Sequence, residues 1–350
     1  MKTRIRLLIK SMLFLGILCS CIVYINSILI PKYVDDNNFP TSATFYGFYE
    51  MKNNSVDVIF LGSSRASCAF SPQELYNMYG IRSYNLGCEM QNMLVSYYWL
   101  KEALRYQKPK VVVLETSMSF LNREDEPLNT SIECTRKALD YMKWSANKYQ
   151  AVKDICKYDE SQEWESYVFP NIQYHARWEE LDKNDWKQEG LLGNNKLKGQ
   201  TVLRSLYANW DNEEKIVEGS TNEIEKMHVL MEVYLDKIVS LCRDENIELI
   251  LVSVPTGYDS NKKYNALCEY AEKKEVLFID YNEKYYVDKL GYDFVMDNAE
   301  YSHVGIRGVI KINKHLGELL LNKYEIVGVY DEQWEISREY YEQTKNNFLD

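Results

Sequence analysis

A chain of 350 residues, 46% hydrophobic and 27% charged, suits one large domain or two small ones and carries enough apolar residues for a substantial core. Its net charge of −11 is unevenly placed: residues 1–32 hold Lys2, Arg4, Arg6, Lys10 and Lys32 and no acid, which leaves about −16 on the remainder. So acidic a body repels phosphate backbones, which excludes general nucleic-acid binding, and 15 glycines and 7 prolines are too few for a collagen-like or disordered chain.

Residues 7–30 read LLIKSMLFLGILCSCIVYINSILI, with Lys10 the one charge. A helix of about 20 apolar residues spans a bilayer core. A cleaved signal peptide has a shorter apolar core, about 7–15 residues, and a small-x-small site after it. Leu18-Cys19-Ser20-Cys21 loosely resembles a lipobox, but the apolar run continues for nine residues past Cys21. The reading is therefore an uncleaved signal anchor over residues 1–32, single-pass in the cell membrane, with the N-terminus in the cytoplasm and the body outside. Cys19 and Cys21 fall within it. Cys68, Cys88, Cys134, Cys156, Cys242 and Cys268 are scattered through the body with no CxxC pair, and Cys68 and Cys242 read as buried thiols.

A polar linker is expected over 33–55 and an α/β body over 56–350. Residues 56–61 (VDVIFL) predict a first strand ending at Gly62. Ser71-Pro72-Gln73-Glu74 is a capping box with proline at the first helical position, and Gly80 closes that helix. A second strand over 84–87, a helix over 91–106 and a third strand over 110–115 follow. Residues 118–221, rich in Trp, Tyr and charge, break the alternation and read as a large insertion forming a cap or subdomain, since structureless loops of that length are rare. Beyond it come a helix near 222–243, a strand over 248–254, a helix near 260–274, a strand over 276–280 and a helix near 306–322. Continuous Val/Ile/Leu strands between helices predict a doubly wound α/β domain, its parallel sheet covered on both faces. The tail from Tyr324 adds an apolar run (EIVGVY) and a polar helix.

In such a sheet, ligands bind beyond the C-terminal strand ends. Gly62-Ser63-Ser64-Arg65 follows the first strand, Asn85-Leu86-Gly87 ends the second, Glu115-Thr116-Ser117 follows the third, and Asp297, Glu300 and His303 follow the fifth. A serine, a glycine whose N–H can approach a ligand and a histidine near acids are the parts of a serine nucleophile with a general base. Among the four histidines, His228 and His315 sit in predicted helices and His175 in the insertion. His303, with Glu300 three residues earlier, is the candidate base. Arg65 could bind an anionic substrate group or pair with an acid. Four dispersed histidines and unpaired cysteines offer no metal-ligand spacing, and there is no glycine-rich phosphate loop, so no metal or cofactor is expected.

VDVIFLGSSRASCAFSPQELY resembles the first block of the SGNH/GDSL hydrolases, where a serine follows the first strand. NLG resembles the second block, whose glycine N–H serves the oxyanion hole, and EYSHVGIRGVIKINKHLG resembles the final acid-x-x-His block. FPNIQYHARWEEL is similar to a segment of membrane-anchored Gram-positive members, themselves similar to proteins that assist D-alanylation of lipoteichoic acid and polysaccharide O-acetylation. The order of the blocks behind a signal anchor is more specific than any single one.

The resemblance implies a three-layer, flavodoxin-like SGNH-hydrolase fold. Ser64 would be the nucleophile, His303 the base and Glu300 the orienting acid where the family more often has aspartate, with Asp297 as the fallback. Gly87 and Ser64 would supply oxyanion N–H donors, each typically worth about 3 kcal/mol. The family's third-block asparagine is replaced by Glu115-Thr116-Ser117, so Gln91 or Asn92 would have to stand in for it, and its usual asparagine after the histidine is Gly305. His175 and Arg177 could lean over the site as substrate contacts or pack the YHARW segment structurally, and Trp144, Trp164, Trp178, Trp186 and Trp210 could stack on sugar rings or fill the core. The implied activity is an extracytoplasmic serine esterase or O-acyltransferase acting on acyl esters of cell-envelope glycan or teichoic-acid-like polymer. A membrane-bound acyl-donating partner is implied for the transferase. The departures leave open a catalytically silent glycan-binding or envelope-assembly protein of the same fold.

Overall fold

β1 (Val58–Leu61), β2 (Ser83–Asn85), β3 (Val111–Glu115), β4 (Glu248–Ser253) and β5 (Leu277–Asp280) pair in parallel as one sheet in the order β2-β1-β3-β4-β5. This computed structural model describes residues 2–33, 39–120, 126–186, 195–206, 216–219, 221–257 and 259–349. The order is that of a flavodoxin-like doubly wound sheet, which reverses direction beside its first strand and opens a crevice at the C-terminal strand ends. Strand composition explains the layering. Val58, Phe60, Val113 and Val252 pack into one core layer while Ile59, Leu61, Val112 and Leu251 pack into the other, so β1 and β3 are buried along their whole length. All five predicted strands form, with ends within two residues of those expected.

α1 (Lys2–Leu29) is long and apolar enough to cross a membrane, its most apolar stretch having a mean hydropathy of 2.2. The expected polar linker is a linker only in part: α2 (Thr41–Tyr49) belongs to the core, with Phe45 and Phe48 fully buried and Phe45 stacked on Trp99 at 4.1 Å. Both rings fall on one helical face because they are three residues apart, a spacing that overall polarity conceals. After β1 come α3 (Ser64–Ala69) and α4 (Pro72–Tyr79), the latter capped by Ser71, whose Oγ accepts the Glu74 N–H, and ended by Gly80 at φ 68°. α5 (Met93–Ala103) follows β2.

The insertion is helical, with α6 (Ile132–Leu139), α7 (Ala146–Tyr158), α8 (Trp164–Val168) and α9 (Asn171–Tyr174). It is no detached cap. Leu139, Met142, Val152 and Ile155 join one core layer, Leu197 and Val202 join the other, and Lys198 O accepts the Asn85 N–H at 2.9 Å, covering the open edge of β2. α10 (Val229–Asp244) starts later than expected, because residues 222–228 are not helical and Met227 instead forms an antiparallel bridge with Phe120. α11 (Asn261–Lys274), α12 (Lys284–Leu290) and α13 (Phe294–Asp297) lead to a small antiparallel hairpin, β6 (Asn298–Glu300) and β7 (His303–Val304), and then to α14 (Ile306–Tyr324). The tail forms α15 (Glu332–Glu335) and α16 (Arg338–Leu349), which bury Trp334 and Tyr341; its apolar run forms no strand. All eight cysteines are unpaired, and Cys68, Cys88 and Cys242 are buried. Burial pushes the Cys88 and Cys242 thiols up to about 12, which keeps them unreactive.

Candidate active site

At the end of β1 the chain turns through Gly62 at φ 138° into α3. A side chain there would meet Glu115 Cβ at 2.7 Å, so glycine alone permits so close a crossing of β1 and β3. Ser63 caps α3 by accepting the Arg65 N–H at 3.2 Å, which makes Ser64 the first helical residue, with an N–H that has no partner within the helix. Ser64 is nearly buried and lines a cavity of about 380 Å³ above the strand ends.

The β6–β7 hairpin brings the second half of the constellation. Glu300 and His303 are cross-strand partners over the two-residue turn Tyr301-Ser302. His303 Nε2 lies 2.8 Å from Ser64 Oγ, and its Nδ1 contacts Glu300 Oε1. With Nδ1–H facing the carboxylate, Nε2 is the nitrogen left to accept the serine proton. Ser302 Oγ donates to the same Glu300 oxygen at 2.9 Å. Partial burial pushes the Glu300 carboxyl up, but the hydrogen bonds from His303 and Ser302 outweigh it and hold the group below the usual glutamate value. Ser64, His303 and Glu300 thus form one hydrogen-bonded chain. Asp297 stands apart from it: fully buried, it accepts from Lys311 Nζ at 2.6 Å and from the Asp293 N–H at 2.7 Å, and serves the base of α14.

The expected oxyanion donors are arranged differently. The Gly87 N–H donates to Asn85 Oδ1 at 2.9 Å. A side chain on Gly87 would approach Ala66 Cβ and Ser67 N at 3.0 Å, so tight packing against α3 accounts for this glycine. Asn92 is the N-cap of α5, accepting the Val95 N–H and donating to Leu128 O. Gln91 donates to Ser96 Oγ at 3.0 Å. None of the three lines the cavity. In the place of the third-block asparagine, the buried Glu115 accepts from Ser63 Oγ at 2.7 Å, Ser117 Oγ at 3.0 Å and the Ser117 N–H at 2.7 Å.

Arg65 lines the cavity with Asp259 and Lys263. Burial pushes the Asp259 carboxyl up, against the pull of Arg65 and Lys263. His175 and Arg177 do not reach this site: His175 is exposed with Nδ1 3.1 Å from Ile172 O, and Arg177 donates to Leu29 O at the end of α1 and to Asp185. Trp144 and Trp164 pack edge-to-face on each other, Trp178 and Trp186 are exposed, and Trp210 lies outside the described residues. Sequence reasoning missed Phe39, whose ring lies 5.6 Å from that of His303, and Asp259. Asp259 follows β4, so the same strand-end rule would have found it had it been applied to the fourth strand.

Fold and site define an α/β protein with a parallel five-stranded sheet behind a helix apolar enough to cross a membrane. No protein-family profile matches the chain, and no curated protein matches it at a significant level.

Proposed function

We propose that the protein is a membrane-anchored serine esterase or O-acyltransferase of the SGNH/GDSL kind, acting outside the cytoplasm on acyl esters of cell-envelope glycan or teichoic-acid-like polymer. The observation that carries this reading is the 2.8 Å approach of His303 Nε2 to Ser64 Oγ with Glu300 on the opposite ring nitrogen. Ser64 Oγ attacks the acyl carbonyl carbon as its proton passes to Nε2. The tetrahedral oxyanion then collapses, the leaving alkoxide takes that proton, and an acyl-serine remains. Water, deprotonated by His303, completes hydrolysis. A sugar hydroxyl in its place completes transfer, and the transferase form requires a membrane-bound acyl donor.

A specific observation favours a second reading, a silent glycan-binding or envelope-assembly protein. Glu115, bonded to Ser63 beside the proposed nucleophile, replaces the asparagine donor that the resemblance expects, and the Gly87 N–H is already engaged. One experiment separates the two: fluorophosphonate labelling of the full chain in detergent. The enzyme reading expects covalent label on wild type, none on Ser64→Ala or His303→Ala, and slower labelling of Glu300→Gln. Folded wild-type protein that takes no label would sink it in favour of the silent reading.

A further inference from the structure

α1 changes character abruptly along its length. Its side chains are exposed from Ile5 to Ile25, whereas Asn26, Ile28 and Leu29 are buried. At 1.5 Å per residue the bare part is about 30 Å long, the thickness of a bilayer's hydrocarbon core. With α1 spanning the membrane, no spacer remains, and whatever touches Asn26 sits at the level of the lipid headgroups.

The insertion touches it. The Asn171 N–H donates to Asn26 Oδ1 at 3.1 Å, Arg177 Nη1 donates to Leu29 O at 2.6 Å, and Tyr141 Oη donates to Pro31 O. Lys32 folds back to donate to Ile30 O at 2.8 Å and to Ser27 O. Around these contacts the segment leaves large apolar side chains in the open: Phe169, Ile172, Trp178 and Trp186 are 43–52% exposed. Single exposed apolar residues are ordinary. Aromatic residues grouped beside the end of a bilayer-length helix are what a membrane interface selects.

We infer that the α9 segment and its flanks, residues 169–186, form a docking collar that inserts Phe169, Ile172, Trp178 and Trp186 into the interfacial layer of the bilayer from which α1 emerges. The inference rests on α1 crossing the membrane. Glu179, Glu180 and Asp182 outnumber the one exposed lysine of this segment, Lys183, and Arg177 is paired with Asp185, so the attraction is apolar rather than electrostatic and needs no anionic lipid. Two tethers, helix and collar, would fix the tilt of the body. The cavity would then be held at a set height, favouring acyl esters close to the membrane face.

The test uses the full chain reconstituted in phosphatidylcholine vesicles, with and without phosphatidylcholine brominated near the headgroup end of its acyl chains. α1 contains no tryptophan, so quenching reports the body alone. Trp178 and Trp186 are two of seven tryptophans, so the brominated lipid is expected to remove roughly a quarter of the emission. The Trp178→Phe/Trp186→Phe double variant, folded by circular dichroism, should lose that quenched component. Vesicle-bound wild type without quenching, or quenching that persists in the double variant, would overturn the collar while leaving the anchor standing. A chain that fails to float with vesicles would overturn the anchor, and the collar with it.

Discussion

Glu115 ties the end of β3 to the residue beside Ser64. It is fully buried, its two oxygens accept four hydrogen bonds, and one of its donors is the serine next to Ser64. Any oxyanion formed at Ser64 develops in the field of that carboxylate, in a setting where charges are poorly screened. Neutralising it should therefore help catalysis and harm the fold. Glu115→Gln is expected to label faster with fluorophosphonate, by on the order of tenfold, since a single oxyanion-hole donor is worth about 10²–10³. It should also melt at a lower temperature, because an amide cannot accept from four donors. An unchanged labelling rate in a folded variant would mean that Glu115 does not oppose the reaction.

Among the elements, the end of β5 and the loop after β4 bring two acids together, Asp280 buried and Asp259 half-buried at the cavity. Asn282 Nδ2 donates to Asp259 Oδ2 at 3.0 Å and to Asp280 Oδ1 at 2.8 Å. Burial, with the charge of Asp259 added, pushes the Asp280 carboxyl up to about 8. An unfolded aspartate titrates near 3.9, so the folded protein holds a proton that the unfolded chain releases. The stability tied to that proton is fully present below about pH 4 and is lost as pH rises to about 8. Asp280→Asn, which keeps the Oδ1 acceptor, should flatten the fall in melting temperature between pH 5 and pH 8. Parallel curves for variant and wild type would show that Asp280 is ionised throughout.

The same elements show what a sequence reveals. β1, β3, β4 and β5 were legible because a buried parallel strand must be a continuous apolar run, whereas β2, Ser83-Tyr84-Asn85, has no such run. The N-cap half of the α4 capping box was legible from residue type and spacing, but its reciprocal half does not form: the Ser71 N–H donates to Asn313 Oδ1 and Glu74 pairs with Lys345. Glu300-x-x-His303 could be found by spacing, but the hairpin that makes the two residues face each other has no sequence signature beyond it. α2 was hidden because its aromatic run, Phe45-Tyr46-Gly47-Phe48-Tyr49, is flanked by the polar residues 35–38 and 52–54, which set the character of the stretch as a whole. Arg177 could not be placed from sequence, because its partner, a helix-end carbonyl of α1, lies 148 residues away and only the fold brings it near.

At the scale of the whole molecule, the C-terminal turn of α1 packs into the body. Leu29 is fully buried, Ile28 nearly so, and the last turn of α1 is held by Arg177 and Lys32. Burial pulls Lys32 down to about 8, against the attraction of Asp185, so its ammonium depends on the carbonyls it caps. A chain shortened to begin at residue 33 would therefore lose more than its anchor. Two buried aliphatic side chains are worth about 3–6 kcal/mol together, and Arg177 and Tyr141 would each lose a carbonyl acceptor, Arg177 keeping only Asp185. Such a chain should melt several degrees below one begun at residue 22, which gives up most of the bare apolar stretch but keeps the buried turn. Equal melting temperatures by calorimetry would show that the turn is only tethered to the body. A clear difference would show that the insertion's contacts with Asn26, Leu29 and Pro31 join the end of α1 to the body as one cooperative unit.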